Sequence, residues 1–220
     1  MFSSFSNSAS LSNQFGSLAT YRTPATVVIN FPTGTQIIGK SGITFPQSTL
    51  TTNSVTVSNL MYGAISVSGT YIATSSSAYT LGYSSGLSFN STTSTMWAST
   101  PNVYSTSNGL YTGSVSTLIS GTAHTGEYVQ IQCPFSFIMK SWSCGPHISA
   151  NTEYAKSVYI AGSTDGSTWN LLGNVLATSY TTNTISLSSN TTSYNYYRFV
   201  VNKMTTGDVI ACMSLITFSS

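Results

Sequence analysis

Val158-Tyr159-Ile160-Ala161-Gly162-Ser163-Thr164-Asp165-Gly166-Ser167-Thr168-Trp169 is the stretch that decides the fold. Its first residues place Val158 and Ile160 on one face and Tyr159 on the other, the period of two that a half-buried strand requires. Asp165-Gly166 follows as a turn pair, because glycine takes positive φ without a steric cost and Asp can bond its own backbone. Trp169 and Leu171-Leu172 then resume an apolar strand. Two extended segments joined so tightly predict an antiparallel pair.

The same pattern recurs on both sides. Val55-Thr56-Val57 and Ile65-Ser66-Val67 alternate, and in Tyr128-Val129-Gln130-Ile131-Gln132-Cys133 the apolar residues share one face while both Gln share the other. Thr184 to Leu187, Tyr196 to Val201 and Val209 to Phe218 complete a series of short strands separated by turn signals. No helical period persists over three turns, and no repeat of fixed length is present. The prediction is an all-β, antiparallel β-sandwich, of jelly-roll type, over residues 49–220. Residues 1–48 read as an extended N-terminal arm: Val27-Val28-Ile29-Asn30-Phe31 ends at Pro32, and Gln36-Ile37-Ile38 ends at Gly39. Phe2, Phe5, Leu11, Phe15 and Leu18 are spaced through its Ser/Asn-rich beginning without a period.

Composition narrows the function. Only 5% of the 220 residues are charged, and none lies between Lys40 and Glu127, against roughly a quarter in ordinary proteins. With 14 Tyr, 10 Phe, 3 Trp and 40% hydrophobic residues the chain can still build a core, which separates it from low-complexity disorder. Its strands should carry hydroxyls and phenols outward, a surface suited to packing beside other subunits or to meeting sugars. The net charge of +2 comes from dispersed Lys and Arg, so the clustered positive charge of a nucleic-acid site is missing. Weak mutual repulsion favours association between copies. The N-terminus has neither the basic region nor the apolar run of a secretory signal, and no segment has the length and hydrophobicity to insert in a membrane. Synthesis in the cytoplasm is the expectation.

Few residues offer chemistry. Gly82-Tyr83-Ser84-Ser85-Gly86 matches the Gly-x-Ser-x-Gly nucleophile elbow, but that motif needs a strand-to-helix turn with an acid and then a His after it. No acid precedes His124, and the pattern is expected by chance where Ser and Gly abound. His124 itself, in Gly121-Thr122-Ala123-His124-Thr125-Gly126, reads as a polar turn residue. Cys133, Cys144 and His147 lack the spacing of a metal site. The three cysteines, with Cys212, allow at most one bridge; otherwise they are buried thiols. Of the four acids, Asp165 belongs to its turn and Glu127 opens a strand. No catalytic residue, metal or cofactor is implied. The loop from His147 to Tyr154 alone concentrates polar and aromatic groups, and His147, Asn151, Glu153 and Tyr154 are the candidate ligand-binding residues. A stacking ring with amide and carboxylate partners is what sugar hydroxyls require.

Several segments together resemble the discoidin-type, or coagulation factor type C, domains. Thr95-Met96-Trp97-Ala98-Ser99 is similar to that family's Thr-x-Trp-x-Ser step, and Gly126 to Gln132 to the strand that follows it. Ile138 to Cys144, with Trp142, resembles the next strand, and Val158 to Trp169 the strand, Ser-x-Asp-Gly turn and Trp. Tyr196-Tyr197-Arg198-Phe199-Val200-Val201 resembles the penultimate core strand. The resemblance covers roughly Leu50 to Ser220. It implies a sandwich that binds through the loops at one end, with Trp97, Trp142 and Trp169 packed inside. Arg198 is expected to face outward and pair with a backbone group or an acid. The chain departs from the pattern in having no cysteine near residue 50 to join Cys212, and in lacking most of the charged ligand-loop residues.

In style, the leading Ser/Asn-rich arm and low-charge sandwich resemble surface and minor capsid proteins of large DNA viruses and phages. That resemblance implies a non-enzymatic virion structural protein, a minor capsid, vertex or fibre component. The arm would anchor it to other capsid or virion proteins and to copies of itself, and a face would be left for a host surface glycan. The alternative is a glycan-binding lectin module acting through its end loops.

Overall fold

The computed structural model describes residues 54–62, 65–89, 94–145, 154–177, 179, 181–207 and 210–219. The expected arm, with Phe2, Phe5, Leu11, Phe15 and Leu18, lies outside them, as do His147, Asn151 and Glu153 of the candidate binding loop. Among the described residues there are twelve strands and two 3-10 turns, Leu81–Tyr83 and Ser85–Phe89. The strands are β1 (Ser54–Tyr62), β2 (Ile65–Ser75), β3 (Trp97–Ala98), β4 (Ser116–Ile119), β5 (Thr122–Thr125) and β6 (Glu127–Phe137). Then follow β7 (Ser141–Gly145), β8 (Ala155–Ser163), β9 (Asn170–Leu176), β10 (Asn183–Ser186), β11 (Tyr194–Met204) and β12 (Cys212–Ser219).

Two antiparallel sheets face each other. The larger runs β1-β2-β6-β11-β8-β9 and the smaller β10-β7-β12-β3, while β4 and β5 form a separate hairpin. The all-β sandwich expected from the alternation is therefore present. Val129 and Ile131 on β6, Val158 and Ile160 on β8, and Phe199 and Val201 on β11 are each at most 1% exposed and share the inner face of the large sheet. Trp142 of β7 meets them from the opposite sheet, its ring centroid 5.6 Å from that of Phe199. Phe89 of the second 3-10 turn approaches Phe199 from another side at 6.4 Å. Phe199 thus joins both layers, and trimming it to Ala should cost about 3–5 kcal/mol.

The Asp165-Gly166 turn is built as its sequence requires. Ser167 N and Thr168 N donate to Asp165 Oδ1 at 2.8 and 2.7 Å, and Ser163 Oγ donates to the same oxygen at 2.9 Å. Gly166 has φ 74°. These donors hold the Asp165 carboxyl well below the usual carboxylate range, the backbone bond from Thr168 first among them.

Cys133, Cys144 and Cys212 are buried thiols outside any disulfide, in agreement with the buried-thiol reading. Trp97, Trp142 and Trp169 are buried too, but not in one core. Trp97 and Trp142 lie between the sheets. Trp169 belongs to a second cluster with Ile119, Ala161 and Val200, on the outer face of the large sheet under the β4–β5 hairpin. Ser120 N donates to Trp169 O at 2.8 Å, and Asn202 Nδ2 to Thr125 O at 3.0 Å, which fixes the hairpin there.

Two expectations need correction in this region. His124 is no turn residue but part of β5, with its ring 4.2 Å from that of Tyr159. Arg198 leaves the sheet on the outer face as expected, yet among the described residues its partners are neither a backbone group nor an acid. Its guanidinium carbon sits 3.8 Å from the Tyr128 ring centroid and 4.2 Å from that of Trp169. Arg198 Nε and Nη2 both donate to Gln130 Oε1, at 3.0 and 2.8 Å, and Nη1 donates to Thr117 Oγ1 at 3.1 Å. A planar, weakly hydrated cation suits a slot between two rings. Burial lowers its pKa, and Tyr128 opposes that shift.

Candidate functional site

Strand register gathers the long connections at one end of the sandwich. Glu127 at the start of β6 pairs with Val201 near the end of β11, and Ala155 at the start of β8 pairs with Met204 at its end. In the facing sheet Gly145 pairs with Ser214, and Cys144 with Asn183. Connections 76–96, 99–115, 146–154, 177–182 and 205–211 therefore leave from this end, whereas the opposite end has only 63–64, 138–140, 164–169 and 187–193.

A small cleft of about 20 Å³, partly open to solvent, lies between the sheets at the loop-bearing end. Trp142 and Val158 form part of its floor, with Val175 beside them and Tyr154, Thr181 and Asn183 around it. Tyr154 is the candidate binding residue that the structure brings to this cleft. Its backbone is held by Thr205 through Thr205 N to Tyr154 O at 3.2 Å and Tyr154 N to Thr205 Oγ1 at 3.4 Å. At the same end, Tyr79 stands 49% exposed. Its ring meets Tyr83 edge-on at 5.6 Å, and its N–H donates to Ala98 O at 2.8 Å.

Glu127 underlies these loops and is only 2% exposed. Its Oε2 accepts from Ser76 Oγ, and from Ser77 Oγ at 2.7 Å, while Oε1 accepts from Tyr111 OH at 2.9 Å. Ser77 passes the tether on, accepting Thr100 N at 2.9 Å on its hydroxyl and Trp97 Nε1 at 2.8 Å on its carbonyl. Tyr111 in turn accepts Val115 N at 3.1 Å, and burial pushes its phenol up to about 12. One carboxylate thus pins the loop after β2 and the loop before β4 to the large sheet.

Among the described residues these groups are not arranged as a nucleophilic centre. Gly82 to Gly86 spans the two 3-10 turns, with Ser84 in extended conformation between them, rather than a strand-to-helix elbow. Burial pushes the Cys144 thiol up to about 12, partly offset by its contact with the Ser214 carbonyl, so it is not a thiolate at neutral pH. Among the described residues no group of three or more His, Cys, Asp and Glu could hold a metal ion. No helix there is long and apolar enough to cross a membrane.

Sequence reasoning reached Tyr154 but missed Tyr79, the role of Glu127 and the cleft itself. Tyr79 stands among Ser and Thr without a period, and Glu127 read as a strand opener. The cleft joins residues from five elements, and no local signal announces it.

No family model and no curated protein sequence matches the chain. Solved structures do. A family 32 carbohydrate-binding module of NanJ from Clostridium perfringens, in complex with galactose, is similar with a TM-score of 0.51 and 10% identity, over 68% of this chain and 93% of that one. The fifth such module of CpGH89 from the same organism, in complex with GalNAc-β-1,3-galactose, gives 0.51 and 12% identity, over 68% and 95%. An F5/8 type C domain from Bacteroides fragilis gives 0.48 and 12% identity, over 68% and 91%. The likeness is one of fold, a discoidin-like antiparallel β-sandwich. The expectation of a virion structural protein is overturned, since the two similar structures at a TM-score of 0.51 are carbohydrate-binding modules, which favours the glycan-binding alternative.

Proposed function

We propose that this chain is a non-catalytic glycan-binding module that takes its sugar at the loop-bearing end of the sandwich. The observation that carries the reading is the combination there of the exposed Tyr79 and the half-buried Tyr83 and Tyr154 with a small cleft rimmed by neutral hydrogen-bonding groups. It occurs on a fold whose relatives have been seen with galactose and GalNAc-β-1,3-galactose. Pyranose rings have an apolar face, which stacks on an aromatic ring, and an equatorial rim of hydroxyls, which needs short polar partners. Tyr79 and Tyr83 supply rings, while Tyr154, Thr181 and Asn183 supply phenol, hydroxyl and amide. His147, Asn151 and Glu153, next to Tyr154 in the chain, are proposed as further partners on the chemistry of their side chains.

A glycan array followed by isothermal titration of the recombinant protein tests this. Saturable binding is expected, weakened at least tenfold by Tyr154→Ala or Tyr79→Ala and weakened by Asn151→Ala, with the fold unchanged. A silent array and no heat with neutral sugars up to roughly 10 mM, where even millimolar affinity (about −4 kcal/mol) would register, refutes it.

A further inference from the structure

Strands β1 and β2 leave the large sheet as a ribbon. β2 pairs with β6 only from Ile72 to Ser75, opposite Gln132 to Val129. Continued register would set Thr70 against Pro134, which has no N–H to donate and so gives the ladder a reason to stop. β1 nevertheless follows β2 from Ser54 opposite Ile72 to Tyr62 opposite Ile65. Among the described residues it pairs with no other strand. The ribbon runs toward the 63–64 turn, at the end opposite the loops around Tyr79 and Tyr154. Two strands alone are marginally stable in water, and a further strand is what secures them.

The outer edge of β1 is built to accept one. Natural sheets refuse added strands with charged residues, proline, short edge strands or bulges. Residues 54–75 contain no Lys, Arg, Asp, Glu or Pro, and β1 is 9 residues long. Only the irregularity between Val57 and Leu60 interrupts it. β9, at the other edge of the large sheet, is shorter, and its Gly173 backs onto the side chains of Leu187 and Ile185.

The occupant that these features select is the same strand of a second copy. Antiparallel β1 against β1 satisfies the outward N–H and C=O groups of both ribbons at once. The pairing is two-fold, so it consumes the edge in both copies and stops at two. Charge does not oppose it, because no charged residue lies between Lys40 and Glu127 and none is set against its like across the joint. We infer that the protein pairs with a second copy of itself through the open edge of β1, which joins two ribbons into one four-stranded strip. The inference stands apart from the glycan-binding reading. Where both hold, antiparallel pairing points the two loop-bearing ends in opposite directions, the arrangement of a cross-linker between surfaces rather than of a clamp on one.

Sedimentation equilibrium of the full chain tests the inference. The mass should rise reversibly with concentration from 23.3 kDa toward twice that value. Thr56→Glu with Ser58→Glu, and Thr56→Lys with Ser58→Lys, each place like charges near the middle of the joint, and each doubly substituted protein should stay a monomer. Mixed in equal amounts, the two should form a dimer again, which only folded ribbons can do. In the wild type, alternate amides of β1, those that face away from β2, should gain protection from exchange as concentration rises. A wild type that keeps the monomer mass up to its solubility limit overturns the inference, as does a dimer that survives in both charged variants or a mixture that fails to pair. Outward amides protected equally at every concentration show that the edge is covered within one chain, and overturn it too.

Discussion

Replacing Glu127 by Leu asks whether one buried carboxylate holds the loop-bearing end together. Leu has nearly the same volume, so the substitution opens little cavity, and the loss is electrostatic. Three hydroxyls, from Ser76, Ser77 and Tyr111, lose their acceptor. A hydrogen bond to a charged group is worth about 1.5–3 kcal/mol net, which would sum to about 4–9 kcal/mol. Two terms reduce that figure. Ser76 Oγ has another acceptor in Tyr128 O at 3.3 Å. The variant also avoids desolvating a carboxylate that is only 2% exposed, a cost of several kcal/mol. A net loss of about 2–4 kcal/mol remains. At about 2–4 °C per kcal/mol for a domain of this size, Tm should fall by about 5–15 °C.

Urea unfolding with an unchanged m-value gives the free energy, and amide exchange shows where it acts. Thr100, Val115 and Tyr128 donate their backbone N–H to the hydroxyls that Glu127 holds in place, so these amides should lose protection first. Glu127→Gln keeps one carbonyl oxygen and should cost about 1–2 kcal/mol. A Leu variant within about 0.5 kcal/mol of wild type, or a Gln variant as unstable as the Leu one, would refute the reasoning.

Arg198→Lys should destabilise the domain by about 1–2 kcal/mol in urea melts, because an ammonium cannot fill the flat slot between Tyr128 and Trp169 or make the paired bonds to Gln130. Gly126→Ala should cost at least about 2 kcal/mol by the same measure: a Cβ there would lie 2.2 Å from Val201 O, at φ +154°. Asp165→Asn should remove part of the acid sensitivity of unfolding. The folded carboxyl is held below its ordinary value, so its contribution is present above roughly pH 4 and fades as pH falls through the folded value. Wild type and variant should accordingly differ most near neutral pH and converge in acid, as read from Tm against pH. Thiol reagents should label the native protein slowly and the urea-unfolded protein at all three cysteines, since each thiol is buried.

The sandwich was legible because β6 alternates over Val129, Ile131 and Cys133, β8 and β11 are rich in β-branched and aromatic residues, and Asp165-Gly166 is a turn pair. The β4–β5 hairpin was not. Its Ser120-Gly121 loop has φ 50° and 81°, the paired positive values of a two-residue hairpin turn. The flanking residues hide it, since Thr122 to Thr125 are polar or small and Leu118 is 62% exposed. Arg198 was misjudged for a related reason. Without the hairpin and Trp169 above it, the outer face of β11 looks solvated, and an acid or carbonyl is then the natural partner to expect. Of the candidate site, the chemistry of Tyr154 was readable from its loop. The cleft beside it depends on strand register across both sheets.

The same outer face explains why composition pointed toward a virion. A surface of phenols and hydroxyls with few charges suggests a protein that meets its neighbours face to face. The phenols are indeed there, as Tyr128, Tyr159 and Tyr196 on alternate positions of β6, β8 and β11, but the chain covers them itself. All three pack against the cluster of Ile119, Ala161, Trp169 and Val200; His124 rests on Tyr159 and Arg198 on Tyr128. The low-charge surface is spent within the molecule on a second, smaller core. What that core fixes is the frame of the large sheet, from which the loops around Tyr79 and Tyr154 project. A frame carrying loops with aromatic rings and few charges accords with the proposed recognition of sugars, which demand positioned rings and hydrogen-bonding groups rather than fields of charge.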